Sequence, residues 1–117
     1  MEFMTENGVY LVNPTYDEAL AFINSDNTNL NPYVPEYYVC YDFTADFIEN
    51  ALQEGYRCGF VYIEFSDSAH AIACFDTTDS GLIFVEPQTD EIVSVAVGQQ
   101  YGGYTIVDMG IIGRLLC

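Results

Sequence analysis

Along this chain the spacing of apolar residues changes once, close to residue 57: before it they recur at helical intervals, after it they alternate. The first part opens a helix at Pro14-Thr15-Tyr16-Asp17-Glu18, where Thr15 can cap and Glu18 can reach back to close a capping box. Ala19, Leu20, Phe22 and Ile23 give that helix, expected over 15–25, one apolar side. Residues 26–37 are polar and carry Asn27, Asn29, Asn31, Pro32 and Pro35, which predicts a long ordered loop. A second helix is expected over 40–54, with Phe43, Phe47, Ala51 and Leu52 sharing a face and Gly55 supplying a left-handed stop.

Beyond residue 57 the runs are β-branched or aromatic. Strands are expected over 57–65, 69–76, 82–86 and 92–97, divided by polar turns at Ser66-Asp67-Ser68, 77–81 and 87–90. After Gly98 a Tyr101-Gly102-Gly103-Tyr104 turn leads into a further strand, 105–112. Short connections favour antiparallel neighbours. No repeat interrupts the order, so helices followed by a sheet over 57–112 predict a single α+β domain, 1–117, with N-terminal helices packed on an antiparallel β-sheet.

Composition narrows the function. The chain has 117 residues, 50% of them apolar, which suffices for one core. No run of apolar residues is long enough to predict a membrane span, and Met1 to Asn7 lacks the order of a signal peptide, so a cytoplasmic protein is expected. Eighteen Asp and Glu face two arginines, Arg57 and Arg114, and there is no lysine, giving a net charge of −16. Without lysine there is no Schiff-base site and no phosphate-loop lysine. Two scattered arginines cannot neutralise a phosphate backbone, and an anionic membrane surface would repel the chain, so neither nucleic acid nor membrane is an expected partner. A neutral or cationic ligand, a basic protein or divalent cations remain. The same charge also reads simply as a solvated, self-repelling surface.

Four cysteines, Cys40, Cys58, Cys74 and Cys117, show no paired spacing, so neither a zinc site nor a redox dithiol is expected. Cys58 and Cys74 fall in apolar strands, where buried free thiols are usual. The turn Asp76-Thr77-Thr78-Asp79-Ser80-Gly81 offers oxygen atoms but lacks the twelve-residue calcium loop, and Gly98 to Gly103 carries no phosphate-binding pattern. No metal and no cofactor are predicted. Tyrosines crowded into 33–41 could line a groove for a neutral chain such as a peptide or sugar, or could simply pack around the helix start.

Cys40 stands out by position. A thiol at a helix N-terminus faces unsatisfied amides and the positive end of the macrodipole, which favour the thiolate. The single histidine, His70, opens the strand Ala69-His70-Ala71-Ile72-Ala73-Cys74-Phe75, whose small Ala71 and Ala73 permit a helix to pack closely. Glu86 ends the next strand and could fix the imidazole tautomer. Each also has a plain structural reading: a small core thiol, a half-buried histidine, a strand end.

The segments Tyr38-Val39-Cys40-Tyr41-Asp42-Phe43, Ser68-Ala69-His70-Ala71 and Phe84-Val85-Glu86-Pro87-Gln88 together resemble the transglutaminase-like superfamily, with its papain-like fold. The likeness covers about 40–97. It departs from the family pattern in having Glu86-Pro87 where Asp-Pro is usual, and in lacking an evident upstream Gln. The resemblance implies a Cys-His-Glu triad, with Cys40 as nucleophile, His70 as general base and acid, and Glu86 as orienting carboxylate. It implies thiol-dependent amide hydrolysis or acyl transfer on a peptide or protein substrate. An oxyanion hole would combine the Cys40 N–H with an upstream donor, for which Asn31 and Tyr38 are candidates. The alternative is a non-catalytic acidic binding module, or a charge mimic, contacting a basic protein partner. The sequence sets no oligomeric state.

Overall fold

The computed structural model describes residues 3–4 and 10–112. Arg114 and Cys117 lie outside them. In chain order the elements are β1 (Phe3–Met4), β2 (Tyr10–Leu11), α1 (Tyr16–Ser25), a 3₁₀ turn (Thr28–Leu30), α2 (Cys40–Gln53), β3 (Gly59–Glu64), β4 (Ala69–Thr77), β5 (Gly81–Glu86), β6 (Glu91–Val93), β7 (Gln100–Tyr101), β8 (Tyr104–Thr105) and β9 (Asp108–Ile112).

Local chemistry sets both helix starts. Thr15 Oγ1 accepts from the Glu18 N–H at 3.1 Å, and Glu18 Oε1 accepts from the Thr15 N–H at 2.9 Å. Two otherwise orphaned amides are thereby satisfied. Asp79 adds a third contact, its Oδ1 accepting from the Tyr16 N–H at 2.8 Å, so the acidic turn after β4 serves as a helix cap. At α2 the Asp42 carboxylate reaches back to the Val39 N–H at 2.9 Å. A carboxylate in the first turn suits the helix dipole.

Five strands form one antiparallel sheet in the order β6-β5-β4-β3-β9, with β4 central. Its alternating side chains supply two cores. On one face Ala73, Phe75 and Val85 meet Ala19, Phe22 and Ile23 of α1 and Phe47 and Ala51 of α2. Phe22 sits edge-on to both Phe47 and Phe75, at 5.2 and 6.0 Å between ring centres. On the other face Val61, Ile63, Ile72 and Cys74 are covered by Val95 and Ile106. The stretch 94–107, which includes the small β7–β8 hairpin, therefore forms a second cover. Gly102 and Gly103 both have positive φ, 60° and 88°, as a tight turn between two paired strands requires.

This layout corrects the expected α+β, transglutaminase-like or papain-like core. Among the described residues strand is the commoner element, and the five-stranded sheet is a middle layer with two helices on one side only. The sequence reading had no role for the second cover. The strand expected over 92–97 stops at Val93, and the one expected over 105–112 is divided, because Ile106 turns inward and is 1% exposed. Gly110 of β9 lies opposite Tyr62, whose ring fills the place of a Cβ.

Two tests follow from polar groups in this frame. Thr44 is fully buried and its Oγ1 donates to the Ala71 carbonyl at 3.0 Å. Thr44→Val keeps the shape but orphans that carbonyl, so urea denaturation should show a loss of about 1–3 kcal/mol. Burial, together with the Asp26 carboxylate, pushes Asp90 up to about 6 from 3.8. The folded chain thus holds this proton more tightly than the unfolded one, and ionisation of Asp90 removes stability as pH rises from 3.8 to about 6. Asp90→Asn, which also tolerates the observed φ of 63°, should raise the Tm at pH 7 and leave it unchanged below pH 3.8.

Candidate functional site

Ala71 lies where β4 is open on one side. The last β4–β5 pair at this end is Ala73 with Val85, and continuing that register would set Pro87 opposite Ala71. Proline has no N–H to offer. The first turn of α2 takes the place of the missing strand. Thr44 Oγ1 holds the Ala71 carbonyl, while the Ala71 backbone also hydrogen-bonds the Cys40 sulfur. Cys40 and Thr44 are one helical turn apart and share a face, so both contacts arise from one docking of the helix.

Along β4, Ile72 and Cys74 point away from the helices, and His70 falls in the same alternation. The open strand edge lets the thiol reach the imidazole all the same: Cys40 hydrogen-bonds His70. His70 Nε2 bonds Glu86 Oε1 at 2.5 Å, which leaves Nδ1 for the sulfur. Glu86 Oε1 also accepts from the Tyr101 hydroxyl at 2.7 Å, and Glu86 Oε2 accepts from the Gln88 N–H at 3.3 Å. The Tyr101 ring lies 5.6 Å from that of His70. The structure thus brings Cys40, His70 and Glu86 into one hydrogen-bonded row and adds Tyr101 to it.

Electrostatics along the row are coupled. The hydrogen bond from His70 lowers the Cys40 pKa; burial opposes this, and backbone hydrogen bonds from Ala71 and Tyr41 reinforce it. Burial alone would lower His70, but its bonds to Cys40 and Glu86 and their negative charges outweigh this and raise it to about 9. Burial likewise pushes Glu86 up, and the bonds from His70 and Tyr101 more than reverse the effect, leaving it below the usual carboxylate range. Tyr101 is raised, by burial first and then by the carboxylate it holds. The row thus sets a thiol of lowered pKa against an imidazole that holds its proton, backed by a carboxylate that gives up its own more readily than usual.

The two candidate oxyanion donors are not directed at the sulfur. Asn31 Nδ2 donates to the Tyr38 hydroxyl at 2.9 Å, and that hydroxyl donates to Asp46 Oδ2 at 2.6 Å. Burial and the Asp46 carboxylate raise Tyr38 to about 12. Tyr101 was not a candidate from the sequence. Its Gly102-Gly103 turn signals a hairpin, but nothing local says which residue the tyrosine meets.

Around the start of α2 the surface is aromatic. Tyr33, Tyr37 and Tyr41 are 54%, 81% and 60% exposed. Tyr33 stacks on buried Phe43, and Tyr41 leans on Phe60 at 5.4 Å between ring centres.

No family model and no curated protein matches this chain. Solved structures do. One is a PSL1a–E64 complex, with a TM-score of 0.66 and 20% identity over 86% of this chain. Another is Polyporus squamosus lectin bound to the human-type influenza-binding epitope Neu5Aca2-6Galb1-4GlcNAc, with a TM-score of 0.63 and 18% identity over 86% of this chain. Each match takes in 39% of the solved chain, so this chain corresponds to well under half of the lectin. The expected membership of the transglutaminase-like superfamily is corrected by these findings: the fold is shared with part of a Polyporus squamosus lectin. The reading as a thiol-dependent amide hydrolase or acyltransferase, with Cys40 as a papain-like nucleophile, rested on that resemblance and is withdrawn with it.

One measurement checks the electrostatics of the row. Because His70 is the single histidine, its ring protons can be followed without ambiguity in an NMR titration. Glu86→Gln should move the midpoint from about 9 down by at least about one unit, since burial then acts with less opposition. An unmoved midpoint would show that the carboxylate does not hold the imidazolium.

Proposed function

We propose that this chain is a binding module, and that it takes a neutral, hydroxyl-rich ligand such as an oligosaccharide on the tyrosines around the start of α2. The observation that carries the reading is the trio Tyr33, Tyr37 and Tyr41, exposed on a fold shared with part of a lectin. Tyrosine offers an apolar ring face with a hydroxyl at its rim, which suits a sugar's C–H face and hydroxyl edge together. Two of the rings are backed by Phe43 and Phe60, so little side-chain entropy is lost when a ligand settles on them.

Charge selects among ligands. At −16, with Arg57 buried, the chain presents no exposed arginine among the described residues to meet an anionic sugar. A neutral disaccharide is therefore preferred to its sialylated form, unlike the sialylated epitope carried by the lectin structure. Shape comes from the fold; sign comes from this chain's own surface.

Titration calorimetry of the folded chain with Galb1-4GlcNAc and with Neu5Aca2-6Galb1-4GlcNAc tests this. The neutral sugar should bind more tightly, and Tyr37→Ala and Tyr41→Ala should each weaken it about tenfold, the order expected for loss of one aromatic contact. No heat with either sugar would overturn the reading. So would tight binding of a basic peptide that falls steeply with salt, which would assign the acidic surface to a protein partner instead.

A further inference from the structure

The row at Cys40 holds more than a binding surface needs. Its thiol receives hydrogen bonds from His70 and from the backbone of Ala71 and Tyr41, and it remains only partly buried. His70 is in turn fixed by Glu86, and Glu86 by Tyr101. The other described cysteines differ sharply: Cys58 and Cys74 are 1% and 0% exposed, one in each core.

We infer that Cys40 is a site of covalent modification, a thiol oxidised by small neutral hydroperoxides while hydrogen-bonded to the imidazolium of His70. The Cys40 thiolate attacks the terminal oxygen of the hydroperoxide. An S–O bond forms as the O–O bond breaks, the sulfur gives up two electrons and the peroxide takes them. The departing alkoxide or hydroxide receives its proton from the His70 imidazolium and leaves as an alcohol or water. Cys40 is left as a sulfenic acid beside a neutral imidazole. Two features choose the oxidant class. A surface at −16 repels anionic disulfides such as oxidised glutathione but does not hinder an uncharged peroxide. Cys58 and Cys74 are enclosed in their cores, so neither stands ready to resolve the sulfenic acid into a disulfide.

This inference rests on the row alone and not on sugar binding, so either can fail without the other. The folded chain is exposed to about one equivalent of hydrogen peroxide with dimedone present, and the adducts are located by peptide mass. Dimedone should appear on Cys40 well ahead of Cys58, Cys74 and Cys117. The rate at Cys40 should rise less steeply between about pH 6.5 and 8.5 than in the urea-unfolded chain, where it should rise at least tenfold as ordinary thiols ionise. His70→Ala should slow labelling at least tenfold; Glu86→Gln, which keeps the ring, should slow it by a smaller factor and serves if His70→Ala does not fold. Uniform labelling of all four cysteines, a Cys40 rate as pH-dependent as in the unfolded chain, or a rate indifferent to both substitutions would overturn the inference.

Discussion

The arrangement of this molecule turns on one peptide unit in mid-sheet. Ala71 belongs to the central strand, yet the partner strand stops short of it because Pro87 cannot donate. A buried carbonyl and amide without partners would cost several kcal/mol together. The first turn of α2 removes that cost with a hydroxyl and a sulfur, Thr44 and Cys40. Helix docking, strand termination and thiol placement are therefore one event. Had the ladder continued, the thiol would have been shut off from the imidazole by a strand.

The charge of the chain gives the row its character. A chain so acidic has every reason to keep its few cations, and its only histidine is half-buried next to a carboxylate and a thiol of lowered pKa. Desolvation acts against the charged ring, so the hydrogen bonds and charge of the two groups beside it must exceed that penalty. They do, which ties proton occupancy of the ring to the presence of both. Removing either partner leaves a half-buried cation short of compensation.

What could be read from the sequence was mostly local. The Thr15–Glu18 pair announces a helix start because both hydrogen bonds lie within one turn, and both are present. The apolar run in 69–77 is legible as a strand for the same reason, although β4 is buried continuously from Ala71 to Phe75 rather than alternately, because apolar layers cover both its faces. Cys40, His70 and Glu86 could be singled out one by one by residue type and position. Tyr101 could not, since its hydroxyl meets a carboxylate from a different strand across a glycine turn. The family assignment failed at the level where short motifs carry least: three brief segments fix chemistry but not architecture, and the cover formed by 94–107 leaves no periodic trace because glycines interrupt it. Asn31 and Tyr38 were plausible donors by proximity in sequence, yet Asn31 donates to Tyr38 and Tyr38 to Asp46.

The small β7–β8 hairpin couples two layers of the fold. It is only two short strands closed by Gly102 and Gly103, and it rests on the face of the sheet away from the helices. Through Tyr101 it is nevertheless fastened to Glu86, and through that carboxylate to a ring whose other nitrogen faces the helix start. A side-chain relay thus pins the outer cover to the opposite layer at the sheet's open edge. Any fluctuation that lifts this flap also slackens the imidazole, so the two layers cannot loosen independently at that corner.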